Sequence, residues 1–433
     1  MTIFIYMKRI LLIIFGSCVV LLTACSNSGS SSTANQFSLA ISSADPFVSR
    51  YVAQTGETAT HTYNVTVTNN GPVSLQPGTF SISTNALTAP FSVTQNNCTN
   101  VTRGETCTIA VTYAPQSSSD LFNYQTLTFT SASGLSQTVS LAGVDPFVTV
   151  PLHQYAPTRT GVYLSDGGSQ PFMAALDTGS SLLVIEQANL GADAQNTGQQ
   201  ATVQYANSSI TGTIYLANVW LNNNSNLSTA SPAPILVVPN GSLSGFSATA
   251  VFGVKMDNQV SAKNFLAYPY NQMMTIDRLD NALTVGTLSA TVINSFTTVQ
   301  LDQTACVNYG LSYTASNSCW YDRGVPVTYS ISGDPNAPRV IDSIFDSGAP
   351  FSIYYVKTQP AWITLNNQGY ISNPMTASFN IGGQTLSIPL TSDVILNVSP
   401  DNTERFNTGY LVFGNYKILL DQADGMIGLK SSI

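Results

Sequence analysis

The sequence predicts an all-β protein in which an antiparallel β-sandwich precedes a larger region made of two similar lobes. Two observations lead to this prediction. Short segments of alternating apolar and polar residues, separated by turns rich in Gly, Pro and Asn, fill the chain over residues 37–145. After residue 145, three sequence elements occur twice in the same order, which indicates a duplicated lobe.

The composition indicates a protein that works outside the cytoplasm and does not bind nucleic acid. The 433 residues are enough for two or three domains. Only 8% of them are charged, against about 25% in an average soluble protein. The net charge is -8, and no run of Lys and Arg follows Lys8 and Arg9. Without a basic surface, nucleic acid is excluded as the expected partner.

The amino end has the pattern of a secretion signal. Lys8 and Arg9 precede an apolar run over residues 10–22, which is too short for a membrane span. The run ends in LTAC, whose last residue is Cys25, and this tetrapeptide resembles the lipobox of bacterial lipoproteins. The resemblance implies a signal peptide over 1–24 and a lipid attached to Cys25. The alternative is an ordinary secretory signal with a chance cysteine.

Residues 25–36 have no apolar periodicity and are expected to form a flexible tether. Ser26 follows the cysteine in place of Asp, and the usual bacterial sorting pattern then favours the outer membrane. We therefore expect a protein of the bacterial cell envelope, held in the membrane by its lipid and facing the periplasm or the cell surface.

Of the six cysteines, Cys18 lies in the signal peptide and Cys25 would carry the lipid, and the other four form two close pairs, Cys98 with Cys107 and Cys306 with Cys319. In an oxidising compartment each pair is expected to form a local disulfide. No metal and no cofactor is expected, because the only histidines are His61 and His153 and neither accompanies a CxxC motif.

Residues 37–145 are expected to form the sandwich. The segments CTIAVTYAP, TLTFTS and VSLAG resemble the immunoglobulin-like repeats of bacterial surface proteins. This resemblance implies the fold only. Such a domain can act as a spacer that lifts the next domain off the membrane or as a binding module, and both readings stay open.

The duplicated elements divide the rest of the chain into lobes over 148–290 and 291–433. The motif Asp177-Thr178-Gly179 has its counterpart in Asp346-Ser347-Gly348, and each follows an apolar strand. The segments AVFGV and LVFGN, which hold Val251–Gly253 and Val412–Gly414, are interpreted as the second matching pair. The third pair is IDRLDNALTVG from Ile276 and LDQADGMIGL from Leu420.

Two lobes with these motifs resemble the pepsin family of aspartic proteases. The resemblance covers about 285 residues and implies a bilobal pepsin-like fold. In that family the two acids, here Asp177 and Asp346, form the catalytic dyad. It also implies that Tyr205, in VQYANSSITG, lies near the tip of a flap hairpin over the cleft. The residues implied to support the dyad are Thr178, Gly179, Ser180, Ser347 and Gly348.

The chemistry explains why two acids are needed. Amide hydrolysis by an activated water requires a base for the water and an acid for the carbonyl. Two nearby carboxyl groups cannot both ionise, so together they hold one proton and supply both functions. Ser180 is expected to donate a hydrogen bond to Asp177, whereas Ala349, at the matching position after Asp346, offers no hydroxyl.

The function expected from this resemblance is that of an aspartic endopeptidase, a monomer that hydrolyses polypeptides and is tethered to a bacterial membrane. One departure is Val184, where the family commonly has a tryptophan that hydrogen-bonds the flap tyrosine. Two alternatives stay open: a catalytically silent binding protein on the same fold, and a surface adhesin in which the sandwich binds the partner.

Overall fold

The chain is nearly all β-structure, which confirms the predicted fold class. Its structure is a computed structural model. The described residues are 37–41, 47–48, 61–70, 81–117, 121–132, 134, 136–167, 169–205, 208–229, 232–257, 266–306, 318–381, 384–390, 394–398 and 404–431. They fall into two compact units that divide between Asp145 and Pro146. The signal, the tether and Cys25 lie outside the described residues.

The first unit is a sandwich of two four-stranded sheets, ordered β1-β3-β6-β5 and β2-β8-β7-β4. Apolar side chains from both sheets form one buried core, which includes Val67, Ile109, Leu127 and Phe129. The strands are β1 (Phe37–Ile41), β2 (Phe47–Val48), β3 (His61–Asn69), β4 (Ile82–Thr84), β5 (Phe91–Asn96), β6 (Thr106–Tyr113), β7 (Phe122–Ser131) and β8 (Ser136–Val144). Its immunoglobulin-like character stays a prediction.

Most of the first lobe is a nine-stranded sheet in the order β10-β11-β12-β18-β13-β17-β15-β14, with β16 paired to β11. Its strands are β10 (His153–Ala156), β11 (Arg159–Asp166), β12 (Phe172–Asp177), β13 (Leu183–Glu186), β14 (Gln195–Tyr205), β15 (Ser208–Ala217), β16 (Val219–Leu221), β17 (Ala233–Val238) and β18 (Ala250–Gly253). Residues of β12, β13 and β18 are almost all buried, as expected for strands covered on both faces.

A second sheet is shared by the two lobes and has the order β21-β32-β31-β19-β20-β9. Its strands are β9 (Phe147–Pro151), β19 (Met273–Asp277), β20 (Ala282–Gly286), β21 (Thr297–Gln300), β31 (Tyr416–Asp421) and β32 (Met426–Ser431). The third repeated pair forms the hairpins β19–β20 and β31–β32, and β19 pairs with β31 antiparallel, with Met273 opposite Asp421. The short helix α1 (Ala290–Ile293) connects the lobes.

The second lobe contains a seven-stranded sheet ordered β28-β27-β24-β25-β30-β26-β29 and a small β22–β23 pair. The strands are β22 (Gln303–Thr304), β23 (Cys319–Trp320), β24 (Val325–Ile331), β25 (Arg339–Ile344), β26 (Ser352–Val356), β27 (Met375–Ile381), β28 (Gln384–Leu390), β29 (Val394–Val398) and β30 (Arg405–Asn407).

The same strand arrangement surrounds both acids. In the first lobe β18 pairs parallel with β12, which ends in Asp177, and antiparallel with β13, which follows the motif. In the second lobe β30 pairs in the same two ways with β25 and β26 on either side of Asp346. Each acid therefore leaves a central strand that has partners on both edges, which limits the freedom of the loop that follows.

The register shows that one predicted correspondence is wrong. Val251 lies opposite both Ala175 and Val184, and the residue with the same two neighbours in the second lobe is Asn407. The counterpart of Val251–Gly253 is therefore Asn407–Gly409, not Val412–Gly414, which lies in a turn. The sequence pattern misled because Asn407 and Thr408, at the end of β30 and directly after it, stand where β18 has Val251 and Phe252, so an apolar pair before a glycine reappears only later in the chain.

Candidate active site

The two D-T/S-G loops meet face to face, and each glycine packs against the other loop's acid. A Cβ on Gly179 would lie 2.6 Å from Oδ1 of Asp346. A Cβ on Gly348 would lie 2.5 Å from Oδ1 of Asp177. Real side chains do not approach this closely, so only glycine permits the contact. The arrangement brings together two acids that are 169 positions apart in the sequence. The hydrogen bonds between Thr178 and Ser347, the residues that follow the acids, span the same separation.

Thr178 and Ser347 lock the two loops together through reciprocal hydrogen bonds. The Thr178 N–H donates to Ser347 Oγ at 3.1 Å, and the Ser347 N–H donates to Thr178 Oγ1 at 2.9 Å. The Thr178 hydroxyl also donates to the Phe345 carbonyl at 2.5 Å, and the Ser347 hydroxyl donates to the Leu176 carbonyl at 2.8 Å. Because both side chains are buried and satisfied, they hold the acids in a fixed relation.

The hydrogen bonds to the two carboxyl groups are unequal. Asp177 accepts the Gly179 N–H at 2.8 Å on Oδ1. Asp346 accepts the Gly348 and Ala349 N–H groups at 3.0 and 3.1 Å on Oδ1. The Asn407 amide donates to its other oxygen, Oδ2, at 2.6 Å. Ala349 offers no side-chain donor to Asp346, as the sequence indicates, but the Asn407 amide supplies one from another strand.

Ser180 lies buried beside Asp177, as the resemblance implies. Its hydroxyl favours the charged form and lowers the pKa of Asp177, although it makes no hydrogen bond of regular geometry with any described residue. We attribute its influence to proximity, because the hydroxyl can rotate toward the carboxyl group without moving the backbone.

Burial from water raises the pKa of Asp177 to about 7. The negative charge of the neighbouring Asp346 contributes to this increase, whereas Ser180 and the Gly179 N–H oppose it. A carboxyl group that keeps its proton near neutral pH, in contact with a second carboxyl group, can serve as a general acid. Unequal hydrogen bonding of the two acids and a raised pKa of Asp177 are features that acid–base catalysis by two carboxyl groups uses.

Replacing Asp177 by asparagine is expected to stabilise the fold, by an amount that grows as the pH rises from about 4 to about 7. The folded pKa of Asp177, about 7, lies above its ordinary value of 3.8, so over this window the folded state holds a proton that the unfolded state has released. Stability of the wild type must therefore fall with rising pH in that window. Thermal unfolding of both proteins at several pH values checks this, and a Tm difference that stays constant from pH 4 to 8 would contradict it.

One wall beside the dyad contains aromatic side chains and an arginine. The Tyr205 ring, at the end of β14, packs edge-on against Phe246 at a centroid distance of 4.7 Å. The Arg159 guanidinium lies 5.1 Å from the centre of the Phe246 ring and donates to the carbonyls of Gly348 at 2.6 Å and Gly245 at 3.1 Å. Arg159 therefore connects the first lobe to the loop that holds Asp346.

Tyr155 completes this wall. Its hydroxyl donates to the Phe246 carbonyl at 3.2 Å, and burial raises its pKa to about 12.

The structure places Tyr205 on the β14–β15 hairpin, where Tyr205 pairs with Ser208. Residues 206–207, at the tip of this hairpin, lie outside the described residues. Neither Arg159 nor Phe246 was recognised from the sequence, because neither belongs to a repeated element.

Both predicted disulfides are present. Cys98 and Cys107 are joined with their Cα atoms 5.1 Å apart, and Cys306 and Cys319 with theirs 5.3 Å apart. In the described part of the chain, no three His, Cys, Asp or Glu side chains are grouped so that they could hold a metal ion. No helix among the same residues is long and apolar enough to span a membrane.

This chain is similar to known proteins at the level of solved structures. No family model and no curated protein matches this sequence. Among solved structures, the chain is similar to the aspartic proteinase from Irpex lacteus, with 14% sequence identity and a TM-score of 0.47. The similarity covers 66% of this chain and 97% of the proteinase.

Proposed function

We propose that this protein is an aspartic endopeptidase in which Asp177 and Asp346 activate a water molecule for peptide hydrolysis. The observation that carries the proposal is the close approach of the two motif loops, in which each acid packs on the glycine of the other motif. The reciprocal bonds of Thr178 and Ser347 support it, because they hold both carboxyl groups rigidly at one place.

In this reaction the ionised carboxyl group takes a proton from the water, whose oxygen attacks the peptide carbonyl carbon. The protonated carboxyl group gives its proton to the carbonyl oxygen, and a neutral tetrahedral diol forms. A proton from the diol then returns to one carboxyl group while the other protonates the leaving nitrogen. The C–N bond breaks, and the pair again holds one proton.

A polypeptide substrate fits the surroundings of the dyad. The aromatic wall of Tyr155, Tyr205 and Phe246 offers apolar surface beside the reacting carboxyl groups, and ligand sites of this kind are mostly apolar with a few placed polar groups. The β14–β15 hairpin that carries Tyr205 extends from the same sheet as the Asp177 loop. These features support binding of an extended chain along the wall.

We propose further that the enzyme is tethered to the bacterial envelope through lipidated Cys25, with the sandwich as a spacer. The supporting evidence is in the sequence: Lys8 and Arg9, the short apolar run and the LTAC motif. Labelled fatty acid should enter the wild-type protein in bacterial cells and not a Cys25→Ser variant. Equal labelling of both would refute the anchor.

The proposed activity is tested by incubating the full-length, detergent-solubilised protein with casein and with a peptide library. We expect internal cleavage, seen as new fragments by mass spectrometry, that a pepstatin-like transition-state analogue suppresses. Binding of the peptides without cleavage would indicate the silent binding protein. Cleavage that the analogue leaves unchanged would refute the dyad as the source of the activity.

A further inference from the structure

Asn407 is a buried polar residue at a position where the duplicated lobe has an apolar one. It ends β30 and is 6% exposed, and its counterpart Val251 is fully buried in the core of the first lobe. The strand pairing is the same at both positions. The fold therefore does not require an amide here, and a buried amide needs hydrogen-bond partners to offset its desolvation.

The hydrogen bonds of Asn407 fix which way its amide points. Its Oδ1 accepts the Gly409 N–H at 2.9 Å, and an N–H can only donate, so the amide oxygen must face Gly409. The NH₂ group then faces Asp346 Oδ2 at 2.6 Å. The amide nitrogen can donate a hydrogen bond but cannot accept one, so a proton on Asp346 Oδ2 could not be donated to it. The contact therefore stabilises the ionised carboxylate of Asp346.

Asp346 thus receives three N–H donors, two on Oδ1 and one on Oδ2. In the described part of the chain, the Asp177 carboxyl group receives one N–H donor, from Gly179. Each donor favours the charged form of the carboxyl group that accepts it. Counting the Ser180 hydroxyl, which favours the charged form of Asp177, Asp346 still has three donors against two, and this difference favours charge on Asp346 and the shared proton on Asp177.

We propose that Asn407 is a positioning residue that fixes Asp346 as the ionised base of the pair and leaves the proton on Asp177. This inference rests on the proposed function for its catalytic meaning. Asp346 then takes the proton from the attacking water, and Asp177 donates its proton to the substrate carbonyl oxygen. The Asn407 amide is the donor to Asp346 that has no counterpart in the first lobe, where Val251 occupies the matching position.

The other charged or titratable groups near the pair do not oppose this asymmetry. Arg159 donates to the Gly348 carbonyl, so its positive charge lies beside the loop that follows Asp346. The charges of Arg159 and Asp177 act on the Tyr155 hydroxyl in opposite directions. Burial raises the pKa of Tyr155 to about 12, so the hydroxyl keeps its proton at neutral pH. Arg159 reinforces charge on Asp346, and Tyr155 stays neutral throughout the range in which the pair titrates.

The first test measures the proton itself and needs no peptide cleavage. Carbon-13 NMR of protein labelled at the Asp carboxyl groups, assigned with Asp177→Asn and Asp346→Asn, reports which acid is protonated. We expect the Asp177 signal to be that of an acid and the Asp346 signal that of a carboxylate at pH 5 to 6. A proton found on Asp346 would overturn the inference, even if the enzyme is active.

The second test uses Asn407→Val, which places the first lobe's own residue at this position. Without the amide, Asp346 should bind a proton more readily, so the lower limb of the kcat/KM profile should move up by about one to two pH units. Adding Ala349→Ser, which introduces a hydroxyl where the first lobe has Ser180, should reverse most of the shift. An unmoved limb in folded Asn407→Val would overturn the inference.

The two tests separate this inference from the proposed function. If NMR finds the proton on Asp177 but no peptide is cleaved, the endopeptidase proposal fails and the assignment of the proton stands. If peptides are cleaved and the proton is on Asp346, only the role of Asn407 is wrong. Because the NMR measurement uses the wild-type protein, it decides the matter even if Asn407→Val does not fold.

Discussion

Asparagine in place of either Asp346 or Asp177 is expected to lower kcat for peptide hydrolysis by about 10³-fold or more. The amide has nearly the same shape as the carboxyl group, but it can neither take a proton from water nor give one to the carbonyl oxygen. Because one proton serves the pair, removing either acid disables both functions. The measurement is kcat and KM on one fluorogenic peptide for each variant, with KM expected to change little.

Asp302→Asn is the matched control for this pair of substitutions. Asp302 is exposed on the second lobe, so the same chemical change there should leave kcat unchanged. Circular dichroism and Tm values verify that the variants are folded, and Asp177→Asn should be at least as stable as the wild type. Retention of more than a tenth of wild-type kcat in folded Asp346→Asn would refute the assignment of the dyad.

Alanine in place of Gly348 is expected to lower kcat by about 10²-fold or more. The added Cβ would lie 2.5 Å from Asp177 Oδ1, so the Asp177 carboxyl group must move out of its place beside Asp346. Gly179→Ala should act in the same way on Asp346, because its Cβ would lie 2.6 Å from Oδ1 of that residue. When either carboxyl group moves away from an added Cβ atom, it loses its alignment with the other carboxyl group.

Gly414→Ala is the control for steric effects on the same lobe. The nearest atom to a Cβ on Gly414 is the Leu411 carbonyl oxygen at 3.6 Å, an ordinary van der Waals distance. This variant should keep the wild-type kcat and Tm. If Gly348→Ala is as active as Gly414→Ala, the close packing of each glycine on the opposite acid is not needed for catalysis.

The parts of the site that could be predicted from the sequence are those that the duplication repeats. Asp177 and Asp346 each follow an apolar strand and precede a glycine, and the close contact between the loops is possible only with that glycine. The hydroxyls of Thr178 and Ser347 follow from the same motif, since each bonds the backbone of the other loop. These contacts join residues of one motif to residues of the other, so the recurrence of the motif was sufficient to predict them.

The parts that could not be predicted depend on strand register. Asn407 reaches Asp346 only because β30 pairs with the strands on both sides of the acid, and a polar residue in that strand hid its likeness to β18. A usable signal was the run Phe406-Asn407-Thr408-Gly409, in which two polar residues precede a glycine as the apolar pair Val251-Phe252 precedes Gly253 in the first lobe. The contact of Arg159 with Gly348 joins distant loops, and no repeated element marks it.

The pH dependence of kcat/KM for the wild-type enzyme tests most directly whether one proton shared by two buried carboxyl groups performs the hydrolysis. We expect a bell-shaped profile, which falls at low pH when both acids are protonated and falls again as the pH rises past about 7, because the pKa of Asp177 is raised to about 7 by burial. In Asp177→Asn the residual activity should show no such upper limb. Activity that is undiminished or still rising above pH 8 would contradict a shared-proton dyad.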